Sequence, residues 1–200
     1  MLKIQEDMDR YLKFSHYING DELSIQRKAV ELKRSSNDEI ELVKNTYYFV
    51  RDEIKHSWDI QDKRVTITAS DVLREKVGIC WAKSNLLAAL LRVNNIPSGI
   101  CYQRLTLGDT PDTGYCIHAL NAIYIKTLDK WIRLDARGNK NGIQAEFSVD
   151  REYLAFSIRN EYDEIDYKIV YAEPLQMTMD ILERSTDALY MYLHSLPEKI

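Results

Sequence analysis

The sequence predicts an α+β fold in which helices flank a block of consecutive antiparallel strands. Three observations predict it: the first third carries apolar residues at helical spacing, the period shortens to that of strands after residue 98, and the last segment turns helical again.

The elements follow in order. "DELSIQRKAVELKR" (21–34) reads as a helix, and "SSNDEIELVKNTYYFVRDEIKHS" (35–57) as a second. In the second, Asn37 or Ser36 is the expected N-cap, Asp38 and Glu39 occupy the first turn, and Ile40, Val43, Tyr47, Val50 and Ile54 form the apolar stripe. A short helix is expected from Ser70 in "SDVLREK". The central helix follows Gly78 and runs from Cys80 to Val93; Leu86, Leu87, Leu90 and Leu91 give it a broad apolar face, and "NNIP" stops it. "SGICYQRLTL", "YCIHALNAIYI" and "KWIRLD" are rich in aromatic and β-branched residues and separated by the turns "GDTPDTG" and "TLDK", so they read as strands. "DYKIVYA" reads as a further strand, and "PLQMTMDILERSTDALYMYLHSL" (174–196) as one closing helix with Pro174 near its first turn.

The 200 residues are 45% hydrophobic and 29% charged, the balance of a chain with a real core. A net charge of −4 gives no general attraction to nucleic acid or to an anionic membrane surface, and no membrane span is expected. The start "MLKIQEDMDR" has acids and no apolar run, so no secretory signal is expected there. Three cysteines without a CxxC pair argue against a disulfide framework and for a reducing, cytoplasmic setting.

One of those cysteines is singled out by position. At the N-terminus of the central helix, the sulfur of Cys80 meets unpaired backbone N–H groups and the positive end of the helix dipole, which favour thiolate over thiol. Gly78 allows a tight entry and room for a substrate chain. A nucleophilic cysteine needs a base, and the base an orienting group. His118 sits mid-strand, where histidine is an unusual choice unless it is a satisfied core residue. Asp135 ends the next strand, and a hairpin would bring the two side by side; its bland alternative is a carboxylate that opens the turn or pairs with Arg137. A zinc site from Cys80, Cys101, Cys116 and His118 lacks the compact Cys pairs of structural zinc, so Cys101 and Cys116 read as core residues and no metal or cofactor is expected. The phosphate-loop pattern is absent around "KVGIC".

The order Cys, His, Asp and its local motifs resemble the transglutaminase-like superfamily, which shares the papain-like cysteine-peptidase architecture. "GICWAKSNLLAALLRVNNIPSG" resembles its nucleophile helix, "CIHALNAIYI" its histidine strand and "KWIRLDARGNK" its aspartate strand. Within it, the likeness is to bacterial transglutaminase-like proteins regarded as candidate cysteine proteases. The resemblance covers residues 40–148 and implies a single domain over 1–200, with an N-terminal helical part (1–36) and a C-terminal strand and helix (149–200) packed on that core. It implies Cys80 as nucleophile, His118 as general base and acid, and Asp135 as orienter.

One oxyanion donor is the Cys80 backbone N–H. The other, by the resemblance, comes from a side chain before the cysteine, and Trp58 and His56 both stand there. Gly78, Trp81, Gln103, Arg137 and Asn139 are the residues expected to line the cleft. The expected partner is a peptide, protein or other amide, hydrolysed by a protease or amidase or transferred to an amine by a transglutaminase. The alternative is a catalytically silent binding or scaffold domain on the same fold.

Overall fold

The computed structural model describes residues 1–108 and 110–200. The chain opens with a two-residue strand, β1 (Lys3–Ile4), and then forms helices α1 (Leu23–Arg34) and α2 (Glu39–Tyr48). The cap of α2 is Asp38 rather than Asn37 or Ser36: its carboxylate accepts the Glu41 N–H at 2.8 Å. The Glu41 carboxylate reaches back to the Asn37 N–H at 2.7 Å, so the two acids satisfy helix-end donors reciprocally.

α2 is shorter than the periodicity suggested. It widens into one π-helical turn, Phe49–Glu53, and ends at Ile54. The next two residues leave as β2 (Lys55–His56), which pairs in parallel with β3 (Val77–Gly78). The carbonyls of Arg51 and Ile54 accept hydrogen bonds from the buried Lys83 ammonium, which replaces the helix continuation they would otherwise require. Between the two strands lies α3 (Ala69–Glu75), one residue earlier than expected, with a capping box between Thr68 and Asp71.

α4 (Cys80–Val93) has the predicted bounds. Leu86, Leu87, Leu90 and Leu91 are fully buried, and truncation of any one to alanine would cost about 2–5 kcal/mol. They share a core with Ile100, Tyr102, Ile117 and Ile123 from β4 (Ser98–Thr106) and β5 (Tyr115–Ile125). The alternate residues Cys101, Leu120 and Ala122 pack in a smaller cluster with Tyr11 and Val170. That is the period-2 division of side chains between two sheet faces.

β6 (Lys130–Leu134) and β7 (Ile165–Tyr171) complete a five-stranded sheet of order β1-β7-β4-β5-β6, antiparallel except where β1 joins β7. The fold is therefore α+β with a predominantly antiparallel sheet. The turn expected over 108–114 includes residue 109, which lies outside the described residues; Pro111–Thr113 form a short helical turn.

The closing helix is two helices, α5 (Gln176–Arg184) and α6 (Ala188–His194). Ser185 is extended, and the Asp187 carboxylate caps α6 by accepting the Leu189 and Tyr190 N–H groups. The Ala188 N–H donates to the Lys63 carbonyl at 2.8 Å, which turns α6 towards the segment after β2. Among the described residues no helix is long and apolar enough to cross a membrane.

Candidate active site

The elements above converge at the N-terminus of α4. Ile79 precedes the helix without a side-chain cap, so the first N–H groups, Cys80 among them, are left for another acceptor. Trp81 fixes this end to the sheet: its indole N–H donates to the Ile117 carbonyl at 2.8 Å, one residue before His118. Asn121 repeats the tie one turn along by donating to the Ser84 carbonyl at 3.0 Å. The nucleophile helix and the histidine strand are thereby held in one register.

The β5–β6 hairpin brings Asp135, one residue beyond β6, to His118. Nε2 of His118 lies 2.8 Å from Asp135 Oδ2 with both side chains buried. Asp135 also accepts the Arg137 N–H at Oδ1 (3.1 Å) and the Ala155 N–H at Oδ2 (3.2 Å). Burial works against its charge, but His118 and these two N–H groups outweigh it and hold the carboxyl below the usual range. Burial also works against the His118 imidazolium. The charge of Asp135, the charge of Cys80 and hydrogen bonds to both overcome it and raise the group to about 10. With Nε2 turned to Asp135, Nδ1 is the ring nitrogen available to Cys80. Phe156 packs edge-on against the ring, with centroids 5.0 Å apart.

These groups open into a cavity of about 650 Å³ lined by Cys80, His118 and Cys116. That is an ordinary size for a small-ligand or short-peptide site. Cys80 is half-buried. Cys116, read from the sequence as core, is half-buried at the cavity wall, and burial pushes its thiol up to about 12. Cys101 is buried in the smaller cluster and is likewise pushed up to about 12. Among the described residues no group of three or more His, Cys, Asp or Glu is placed to hold a metal ion.

The other expected site residues divide. Trp81 and Arg137 border the cavity, as do His56 and Trp58. His56 reaches it because β2 pairs with β3, where its register partner is Gly78, two residues before Cys80. It is buried, its Nδ1 has no hydrogen-bond partner, and Nε2 is the nitrogen left to face the cavity. Burial first, then the positive charges of Arg137 and Lys83, push it well below the usual histidine range, so the ring is neutral. The indole of Trp58 stacks on Tyr192 of α6 at 4.4 Å and 15°.

Three residues stand elsewhere. Gly78 is buried, and a Cβ there would meet Thr66 Oγ1 at 2.9 Å; the missing side chain makes room for Thr66 rather than for a substrate. Gln103 is the register partner of His118 on β4 but is buried and does not line the cavity. Asn139 exchanges hydrogen bonds with the Ala145 backbone, which closes the loop after Asp135.

Sequence reasoning passed over Lys83. Its ammonium donates to the carbonyls of Arg51, Ile54 and Arg137 (3.0 Å to the last), so one side chain on α4 ties the end of α2 to the Asp135 loop. Burial, then the charge of Arg137, lowers it to about 7. A lysine early in a helix that is otherwise uncharged up to Arg92 was the available signal. Asp59 was also missed: it receives two hydrogen bonds from the Arg137 guanidinium and one from Lys140, and links the segment after His56 to the same loop. Nothing in the spacing of 59 and 137 announces that pair.

Comparison with known proteins agrees with this architecture. In solved structures the chain resembles a candidate cysteine protease from Cytophaga hutchinsonii (21% identity, TM-score 0.53), matched over 66% of this chain and 43% of that one. It also resembles the periplasmic domain of TgpA from Pseudomonas aeruginosa (17% identity, TM-score 0.49), over 64% of this chain and 48% of that one. The chain thus spans less than half the length of either. No curated protein matches the sequence. Residues 26–136 match the family described as the transglutaminase-like superfamily, more than half of the 200. The chain belongs to the transglutaminase-like superfamily.

Proposed function

We propose that this chain is a single-domain, cysteine-dependent acyl-transfer enzyme that acts on an amide bond of a peptide, protein or other amide in the cytoplasm. The observation that carries the proposal is His118, which meets the Asp135 carboxylate through Nε2 and interacts with Cys80, at the base of an open cavity.

In this reading Cys80 is the nucleophile, His118 the general base and acid, and Asp135 the orienter. The Cys80 thiolate attacks the amide carbonyl and forms a carbon–sulfur bond. The negative charge that develops on oxygen is met by the Cys80 backbone N–H and a side-chain donor from β2 or the segment that follows it. Imidazolium His118 then gives its proton to the leaving amine as the carbon–nitrogen bond breaks, and a thioester remains on Cys80. A water molecule or a second amine gives up a proton to His118 and attacks the thioester. The acid or the new amide leaves, and the thiolate–imidazolium pair is restored.

For the second donor the structure favours His56 over Trp58. A neutral imidazole with Nδ1 sealed in the interior offers its N–H at Nε2, towards the cavity.

Incubation with mixed fluorogenic peptide amides, with and without an amine acceptor, tests the proposal. Turnover by the native chain and none by Cys80→Ala supports it, and incorporation of the amine separates transfer from hydrolysis. Turnover that survives Cys80→Ala would overturn it.

A further inference from the structure

We infer that the site selects substrates that carry an uncharged, apolar substituent beside the reacting carbon, and that α6 supplies the selecting wall. The inference rests on the proposal that Cys80 is the nucleophile.

The wall is apolar on the sides that flank Cys80 and His118. Leu105 and Leu107 stand at the end of β4, Phe156 lies against the imidazole, and Tyr192, Leu193 and Leu196 come from α6 and the residues after it. Leu193 is 54% exposed although it borders a cavity, so its side chain is available to a ligand rather than spent on the core. Tyr192 is held in place by its stack on Trp58, which makes the wall a fixed surface.

The charged groups at the rim are already engaged. Arg137 and Lys140 share Asp59, and Arg159 donates to Glu164 and Thr106. A charged substituent would have to leave water for a wall whose counter-charges are committed to one another, which is costly. Arg137, Lys140 and Arg159 also outnumber Asp59 and Glu164, so a cationic substituent fares worst. An apolar substituent gains from burial of its own surface instead.

The test uses three chloroacetamides that differ only on nitrogen: 2-phenylethyl, 2-carboxyethyl and 4-aminobutyl. Each reacts by displacement of chloride by the Cys80 sulfur, which forms a thioether and releases chloride. Adducts are located by peptide mass mapping, and rates are divided by those of the same probes with glutathione. The phenylethyl probe should label Cys80 at least about tenfold faster than the carboxyethyl probe, with the aminobutyl probe slowest. Leu193→Glu, at an exposed position, should speed the aminobutyl probe so that it is no longer the slowest, while the carboxyethyl probe slows further.

Equal corrected rates for the three probes, or an order unchanged by Leu193→Glu, would overturn the inference. Iodoacetamide carries no substituent to select, so it reports on the nucleophile alone. Preference of iodoacetamide for Cys80 with no preference among the chloroacetamides removes only the inference about α6. Failure of iodoacetamide to prefer Cys80 removes the nucleophile and the inference with it.

Discussion

Asp135→Asn probes the site with a change of one atom. The carboxylate has three hydrogen-bonding neighbours: His118 Nε2 and the Ala155 N–H at Oδ2, and the Arg137 N–H at Oδ1. An asparagine amide cannot serve all three. If its oxygen takes the Oδ2 position, its NH₂ faces the Arg137 N–H, donor against donor. If its NH₂ takes that position, it opposes the Ala155 N–H and offers His118 a donor in place of an acceptor. Either orientation leaves a buried N–H unpaired, at a cost of about 1–3 kcal/mol.

The electrostatic effect is larger. With the carboxylate gone, only Cys80 is left to oppose burial, and His118 falls from about 10 towards the ordinary histidine range. The imidazolium that accompanies the Cys80 thiolate is then scarce at pH 7. An ordinary thiol is only about 3% thiolate at that pH, so alkylation of Cys80 should slow by up to about 30-fold. Turnover should fall by up to about 10⁴-fold if the serine-triad precedent transfers.

Iodoacetamide labelling of Cys80 between pH 5.5 and 8.5 needs no substrate. Asp135→Asn should label more slowly than the native protein across this range, because the imidazolium that pairs with the thiolate is lost. Circular dichroism and a thermal melt confirm that the variant is folded. A folded Asp135→Asn protein with the native rate and profile would refute the assignment of Asp135 as orienter.

Brief labelling of the native protein at pH 7 should modify Cys80 at least about 10³-fold faster than Cys101 or Cys116, since thiols pushed up to about 12 are thiolate only to about 1 part in 10⁵; peptide mapping reads this, and equal labelling would count against it. Lys83→Met should lower stability by about 2–4 kcal/mol in urea melts, because three buried carbonyls lose their donor, and a loss under 0.5 kcal/mol would show the tie to be idle. Stability between pH 7 and 8.5 carries two opposed slopes. His118 binds its proton more tightly folded than unfolded, so its contribution, complete below about 6.5, is lost as pH rises towards 10; Lys83, lowered to about 7, contributes a rise over the same interval. Stability should therefore vary little with pH in the native protein and fall with pH in Lys83→Met; a steep native slope or a flat variant would contradict the pairing.

What could be read from the chain follows the length over which each signal is written. α4 is specified by fourteen residues of apolar spacing with a proline-marked stop, and β5 by eleven residues rich in aromatic and β-branched side chains; both have the expected bounds. The approach of His118 to Asp135 followed from one hairpin. By contrast, β2 and β3 are two residues each, too short for any period, and what brings His56 to Cys80 is a parallel pairing between segments 22 residues apart. The break between α5 and α6 was hidden because apolar residues continue at helical spacing across it; only the Asp187 cap marks a new start. Gly78 was read for what it might admit, whereas Thr66, remote in sequence, is what occupies the space.

The groups around Cys80 share a physical problem whose solution explains the layout. Lys83, Asp135, His118 and Arg137 are all nearly sealed from water, and a buried charge is tolerated only with partners. Each therefore recruits a partner from another element: Lys83 takes carbonyls from the end of α2 and from residue 137, Asp135 takes N–H groups from residues 137 and 155, Arg137 takes the Asp59 carboxylate, and His118 takes Asp135. The partners that satisfy the charges are the same contacts that fix the loops, so electrostatic compensation and rigidity arise together. His56 is the exception. Its Nδ1 is buried without a partner, and it stays neutral because charge there would face Arg137 and Lys83. Such an unpaired group costs stability and strengthens no contact of the free protein. His56 borders the cavity beside Cys80, and under the proposed function its Nε2 is the donor that meets the substrate oxygen, most strongly once that oxygen carries negative charge.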